Sequence, residues 1–121
     1  MNIVKAIKST KLMKKLPNGL FEVKEEVTDS KYKAHWFEDE NGKKQGEYRS
    51  WWDNGTLKEH CFLKDGELQG EYRSWCENGT LKEHCFFKDG KLQGEYKEWY
   101  DNGTLGLHCF FKDGKIIEEY I

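Results

Sequence analysis

From residue 46 onward the chain is a succession of short stretches rich in aromatic and β-favouring residues, each closed by Asn-Gly or Asp-Gly. Such stretches between turn pairs predict strands, because a helix would need an apolar stripe at every third or fourth position over a dozen residues. Asn54-Gly55 and Asp65-Gly66, with their equivalents Asn78-Gly79, Asp89-Gly90, Asn102-Gly103 and Asp113-Gly114, supply residues that tolerate positive φ. Each therefore predicts a type I′ hairpin with a two-residue loop. The elements add up to an all-β, antiparallel meander.

The stretches recur with a period of 24: residues 46–69 and 70–93 agree at 20 of 24 positions, and 94–117 match the second unit at 16 of 24. With two-residue loops, Tyr48 pairs with Cys61, Trp52 with Leu57, Leu63 with Leu68 and Cys61 with Gly70. A residue then lies two strands from the position 22 further on, so each 24-residue unit is expected to slip by two along the strand direction. A slip of two keeps every side chain on its own face. One face is expected to carry Tyr48, Trp52, Leu57, Cys61 and Leu63, and the other Trp51, His60, Phe62, Glu47, Arg49 and Lys58. A bulge between Tyr48 and Trp51 would reassign faces locally.

The flanks are degenerate copies. His35-Trp36-Phe37 leads to Asn41-Gly42 and Gln45-Gly46 like the end of a unit, with one extra residue before the turn. Pro17-Asn18-Gly19 resembles a Asp-Asn-Gly turn, Phe21 to Val27 reads as a strand, and Thr28-Asp29-Ser30 reads as a turn. Residues 3–16 form no helical stripe and are expected to be a short strand or a disordered arm. The chain thus divides into a Lys-rich arm with a degenerate hairpin, residues 1–34, and a repeat region, residues 35–121, with partial units at both ends.

Composition sharpens this picture. The 121 residues are 36% hydrophobic and 35% charged, enough for one small domain, and 5 Trp, 6 Tyr and 7 Phe must supply much of the burial. Residues 1–16 carry five Lys and no acid, while the overall charge is −2, so the body is acidic. Phosphate ligands need clustered cations, and neither nucleic acid nor a membrane surface is an expected partner of the body. Met1 to Leu16 lacks the apolar centre and cleavage site of a secretory signal, and an intracellular, cytoplasmic location is the expectation.

The repeated residues resemble the MORN repeat, and more closely its shorter variant in the YwqK family of antitoxin-like proteins, whose units read G-x-Y-x-x-[YW]-x-x-N-G-x-L. The matching positions are Gly46, Tyr48, Trp51, Asn54, Gly55 and Leu57, then Gly70, Tyr72, Trp75, Asn78, Gly79 and Leu81, then Gly94, Tyr96, Trp99, Asn102, Gly103 and Leu105. The resemblance covers roughly residues 35–121. It implies a single-layer, strongly twisted β-meander of 24-residue hairpin repeats that acts as a scaffold, dimerisation element or binding platform, with no catalytic residue. The motif has Gly where this chain has His60-Cys61, His84-Cys85 and His108-Cys109.

Candidate chemistry is sparse. The His-Cys pairs hold zinc-type ligands, but neighbours in a strand face opposite ways and repeat equivalents lie two strands, ~9.6 Å, apart. A metal site and disulfides among Cys61, Cys85 and Cys109 are therefore disfavoured, and Cys76 reads as a free thiol. Three Asn-Gly-Thr sequons are explained by the turns. No nucleophile elbow or phosphate loop occurs, and near-identical units offer no unique constellation, so neither an enzyme nor a cofactor is expected. Trp51, Trp75 and Trp99 beside Arg49, Arg73 and Lys97 could stack bases, yet a thin sheet needs those rings for packing. Tyr48, Trp51, Tyr72, Trp75, Tyr96 and Trp99 are accordingly read as an aromatic ladder.

The last unit departs from the others. Lys82-Glu83 becomes Gly106-Leu107, Gln93 becomes Ile117 and Lys97 becomes Ile121, so polar positions turn apolar where an edge strand is left open. Leu107, Ile116, Ile117, Tyr120 and Ile121 are the expected contact with a protein partner or a second copy, as a homodimer. The expected function is a non-catalytic interaction scaffold. Neutralisation of a toxin partner and membrane-surface recruitment through Lys5 to Lys15 are the alternatives.

Overall fold

The computed structural model describes residues 10–27 and 31–120, all in strands and their connections. β1 (Thr10–Lys15), β2 (Phe21–Val27), β3 (Lys31–Glu38), β4 (Gly46–Trp51), β5 (Leu57–Lys64) and β6 (Glu67–Leu68) are followed by β7 (Gly70–Trp75), β8 (Leu81–Lys88) and β9 (Lys91–Leu92). β10 (Gly94–Trp99), β11 (Leu105–Lys112) and β12 (Lys115–Glu119) complete one open antiparallel sheet. Its order is β1-β2-β3-β4-β5-β7-β8-β10-β11-β12, with β6 on β5 and β9 on β8. The all-β repeat meander read from the sequence is the fold. Residues 10–15 of the expected arm form strand β1, and the sheet runs through residue 34 within β3. Residues 1–9, the expected turn at Thr28-Asp29-Ser30, and Ile121 lie outside the described residues.

The two turn types differ, which corrects the expectation of uniform two-residue loops. Asp65 and Gly66 both have positive φ, 51° and 82°, as a type I′ turn demands, and Lys64 pairs with Glu67 across it. At Asn54-Gly55 only the glycine is positive, at 88°. There the Gly55 N–H donates to the Trp52 carbonyl and the Trp52 N–H to the Thr56 carbonyl, which makes a three-residue loop closed by a glycine bulge. The loop moves the pairing by one, so Trp51, not Trp52, faces Leu57, with the irregularity between Ser50 and Trp51. Lys58 is the extra residue and lies on β5, so alternation through β4 is unbroken and Tyr48 and Trp51 stand on opposite faces.

The expected slip between units is also absent. Leu63 pairs with Leu68 as foreseen, but Cys61 does not pair with Gly70: His60 faces Arg73 and Glu59 faces Ser74. Two extra residues are taken up around Gln69-Gly70, where Gly70 has φ +91°. They cancel the slip of two, so repeat equivalents stand in straight rows across the sheet. One row runs Met13, Val23, Trp36, Tyr48, Cys61, Tyr72, Cys85, Tyr96, Cys109. It holds most of the core, with Val23, Trp36, Cys61, Cys85 and Cys109 all buried. Cysteine fits because a single layer leaves shallow room between tyrosine rings, and it behaves there as a small apolar side chain.

Candidate interaction surfaces

The sheet presents a tyrosine face and a histidine face, each built by copying one set of contacts. On the tyrosine face the Tyr72 hydroxyl donates to Glu59 at 2.6 Å and the Tyr96 hydroxyl to Glu83 at 2.7 Å, while Ser74 Oγ donates to Glu83 at 3.1 Å. Gly70 and Gly94 stand opposite Phe87 and Phe111, and those rings meet Tyr72 and Tyr96 edge-on at 5.9 and 5.6 Å. The rows flank a shallow groove of about 520 Å³ lined by Tyr48, Tyr72, Tyr96, Glu59, Glu83 and Phe87, among others. Burial, then the neighbouring carboxylates Glu59 and Glu83, push the Cys61 and Cys85 thiols up to about 12. Burial, followed by donation to Glu59 and to Glu83, raises the Tyr72 and Tyr96 phenols above their usual range. These thiols are poor nucleophiles at neutral pH, since the thiolate is the reactive form.

The sequence reading missed Glu59 and Glu83 on this face. The signal was available, because both lie two residues from a buried cysteine and share its side of the strand.

On the histidine face each repeat holds a carboxylate between two bases. Nε2 of His60, His84 and His108 lies 2.7 Å from Glu47, Glu71 and Glu95, and Arg49 and Arg73 reach the same carboxylates at 3.0 and 2.9 Å. The degenerate unit repeats the device with His35 and Glu22 at 2.9 Å. Each imidazole also tilts against the phenylalanine two residues on, at 5.3 Å for His60–Phe62 and His84–Phe86. The bond from His84 depresses Glu71, and that from His108 depresses Glu95. Each His-Cys pair is thus split between faces, with histidine in an ion-pair row and cysteine in the core. Among the described residues no three His, Cys, Asp or Glu gather to hold an ion, and all four cysteines are free.

Both lines of turns are tied together by side-chain amides. Asn54 accepts from the Thr56 N–H and donates across to the Glu77 carbonyl, and Asn78 does the same with Thr80 and the Asp101 carbonyl. At the other end, Gln45, Gln69 and Gln93 accept from the N–H of Asp65, Asp89 and Asp113. The Asn-Gly-Thr triplets are therefore turn architecture, and Ile117 stands where a further glutamine would continue the ladder.

Of the residues expected at the C-terminal edge, Ile116, Ile117 and Tyr120 lie along β12 and its end but on no single face, and Leu107 lies one strand in, on β11. Ile116 pairs with Phe111 on the tyrosine face, and Ile117 sits at the irregularity that follows. Tyr120 lies on the histidine face, its ring 4.8 Å from His108 and 5.5 Å from Phe110. Ile116, Ile117 and Tyr120 are 52%, 64% and 54% exposed. Leu107 is half-buried opposite Glu98, in the row of Glu59 and Glu83. Of the aromatic ladder, Tyr72 and Tyr96 have their rings and hydroxyls engaged on one face, while Tyr48 stacks on Trp36 at 6.0 Å. Trp51, Trp75 and Trp99 end their strands at the Asn-Gly line, where Trp52 Nε1 donates to the Trp75 carbonyl.

Comparison with known proteins agrees with the repeat geometry. Residues 44–65, 68–89 and 92–105 match the MORN repeat variant. No curated protein sequence matches the chain. Among solved structures it is similar to a mutant of S. aureus TarM in complex with Fondaparinux, alpha-GlcNAc-glycerol and UDP, at 14% identity and a TM-score of 0.47. That likeness covers 90% of this chain, which spans about a fifth (21%) of the other protein's length, and it carries no argument about function.

Proposed function

We propose, from the match of residues 44–65, 68–89 and 92–105 to the MORN repeat variant, that the chain is a non-catalytic protein-interaction scaffold that self-associates through β12. Repeats of this kind are in general interaction elements without catalytic residues. The observation that carries the reading is the open edge: among the described residues β12 has no neighbour on one side, and Ile116, Ile117 and Tyr120 are exposed there. Unpaired backbone groups beside apolar side chains form a template for another strand. The copied contacts of both faces are internal bracing that holds this edge in shape, since their hydroxyls, imidazoles and amides are already engaged.

Light scattering over a concentration series tests the reading. The native chain is expected to associate at high micromolar concentration and Ile117→Lys to remain a monomer. A monomeric native chain would refute self-association. A stoichiometric protein co-purifying with such a monomer would favour the antitoxin-like alternative that the resemblance implies.

A further inference from the structure

We propose that the strand that docks on β12 is β1 of a second copy, so that copies join head to tail into one continuous sheet. This rests on the self-association reading and specifies its partner surface. The main path has ten strands, an even number, so β1 and β12 run in opposite directions. A second copy laid in the same orientation therefore brings its β1 against β12 antiparallel, with tyrosine face continuing tyrosine face.

Backbone phase agrees. The Tyr120 N–H turns inward to the His108 carbonyl, so the polar groups of Glu119 turn outward to the free edge. At the other end the Leu16 N–H turns inward to the Leu20 carbonyl, which leaves the groups of Met13 outward. Met13 and Glu119 also belong to the same side-chain row, Met13 pairing with Val23 and Glu119 with Cys109. Setting Glu119 against Met13 joins the rows, matches donors to acceptors, and places Glu118 opposite Lys14 and Tyr120 opposite Leu12. Leu12 and Met13 are themselves 45% and 52% exposed.

Charge complements this union, and backbone phase favours it over two copies of β12, in which Lys115 would likewise meet Glu119. β1 carries Lys11, Lys14 and Lys15 and no acid, whereas the paired end of β12 carries Glu118 and Glu119. In the register above Glu118 meets Lys14, and Glu119 lies diagonally between Lys11 and Lys15. A two-fold β12 pair centred on Ile117 sets one side of the irregularity there against the other, and its donors and acceptors fall out of phase. A heterologous contact of this kind does not close as a dimer and lets copies add in series.

Two measurements test it. The first couples neighbouring carboxylates and amines of the native chain with a water-soluble carbodiimide and maps the links by mass spectrometry. Within one chain β1 and β12 are separated by nine strand spacings, roughly 43 Å, so a Lys14–Glu118 link reports a second copy. The second compares Lys14→Glu, Glu118→Lys and their equimolar mixture by light scattering. Each variant alone is expected to associate about fivefold more weakly, as like charges set opposite each other do in a sheet, and the mixture to recover native association. If the native chain associates but links join β12 only to β12, and Lys14→Glu associates like the native chain, the head-to-tail arrangement is overturned while self-association stands. A native chain that stays monomeric overturns both.

Discussion

The segment of β6 and the start of β7 occupies the same place in the repeat as the segment of β12, each after an Asp-Gly turn, and the two lie differently on the sheet. In the sequence Gly70-Glu71-Tyr72 becomes Glu118-Glu119-Tyr120. Gly70 takes φ +91°, the irregularity there absorbs two residues, and Tyr72 falls opposite Cys85 on the tyrosine face. Glu118 has no positive φ and one extra residue is absorbed instead, so Glu119 rather than Tyr120 falls opposite Cys109. A register change of one residue reverses the face, and Tyr120 packs on His108 and Phe110. One glycine per unit thus fixes both the alignment of the rows and the side on which the next tyrosine lands. Where it is missing, an aromatic residue is left on the rim of an open edge.

Breaking the glycine in the middle of the array gives the largest expected effect. No atom lies within 4 Å of a Cβ built at Gly70, so the cost of a side chain there comes from backbone conformation and not from a clash. Gly70→Val is expected to lose about 2 kcal/mol, because a β-branched residue in the left-handed region is strained by 1–3 kcal/mol. Urea unfolding checks this, and a loss below ~0.5 kcal/mol would mean that the register does not depend on glycine.

The converse change sharpens the comparison at lower cost. Glu118→Gly is expected to let two residues into the irregularity and return Tyr120 to the tyrosine face. Stability should change by less than about 1 kcal/mol, since one set of aromatic contacts replaces another. Nuclear Overhauser contacts decide the matter: loss of Tyr120–His108 proximity is expected, and its persistence would show that glycine alone does not choose the face.

The smallest effect is acid sensitivity of the histidine rows. Glu71 and Glu95 are held below the ordinary carboxylate value of 4.5 in the folded chain by donation from His84 and His108. Their contribution is fully present above that value and disappears as pH falls through the lowered folded values. Both carboxylates are partly exposed, so solvent keeps each contribution small. Unfolding free energies measured from pH 6 to pH 3 should decline less steeply in His84→Phe than in the native chain, and identical slopes would deny His84 this role.

Much of the fold was legible because the repeat states it three times. Asn-Gly and Asp-Gly mark the turns of the repeats, the aromatic and β-favouring stretches between them exclude helices, and the pairing of Tyr48 with Cys61 follows from counting back from Asn54-Gly55, because the three-residue loop and the extra residue Lys58 offset each other. Counting failed where the backbone absorbs residues without changing residue type. Gly55 and Gly70 both read as turn or strand-end glycines, yet one closes a three-residue loop and the other hosts an irregularity that cancels the slip between units. The apolar change at Ile117 was legible in the sequence, but the placement of Ile116 and Tyr120 on opposite faces was not, because it depends on the residue count at the irregularity before Glu118.

The amino-acid order alone determined that this chain is a set of copied antiparallel hairpins with an apolar last unit, since turn chemistry and β-propensity act over a few neighbouring residues. Only the tertiary structure decided that equivalent residues line up in rows, that each His-Cys pair divides between an ion-pair face and a core, and that Glu59 and Glu83 sit under tyrosine hydroxyls. The physical reason is that register between strands is a sum over every loop and bulge. Absorbing two residues, as at Gly70, instead of one, as at Ile117, changes that sum by one, and every side chain beyond it changes face.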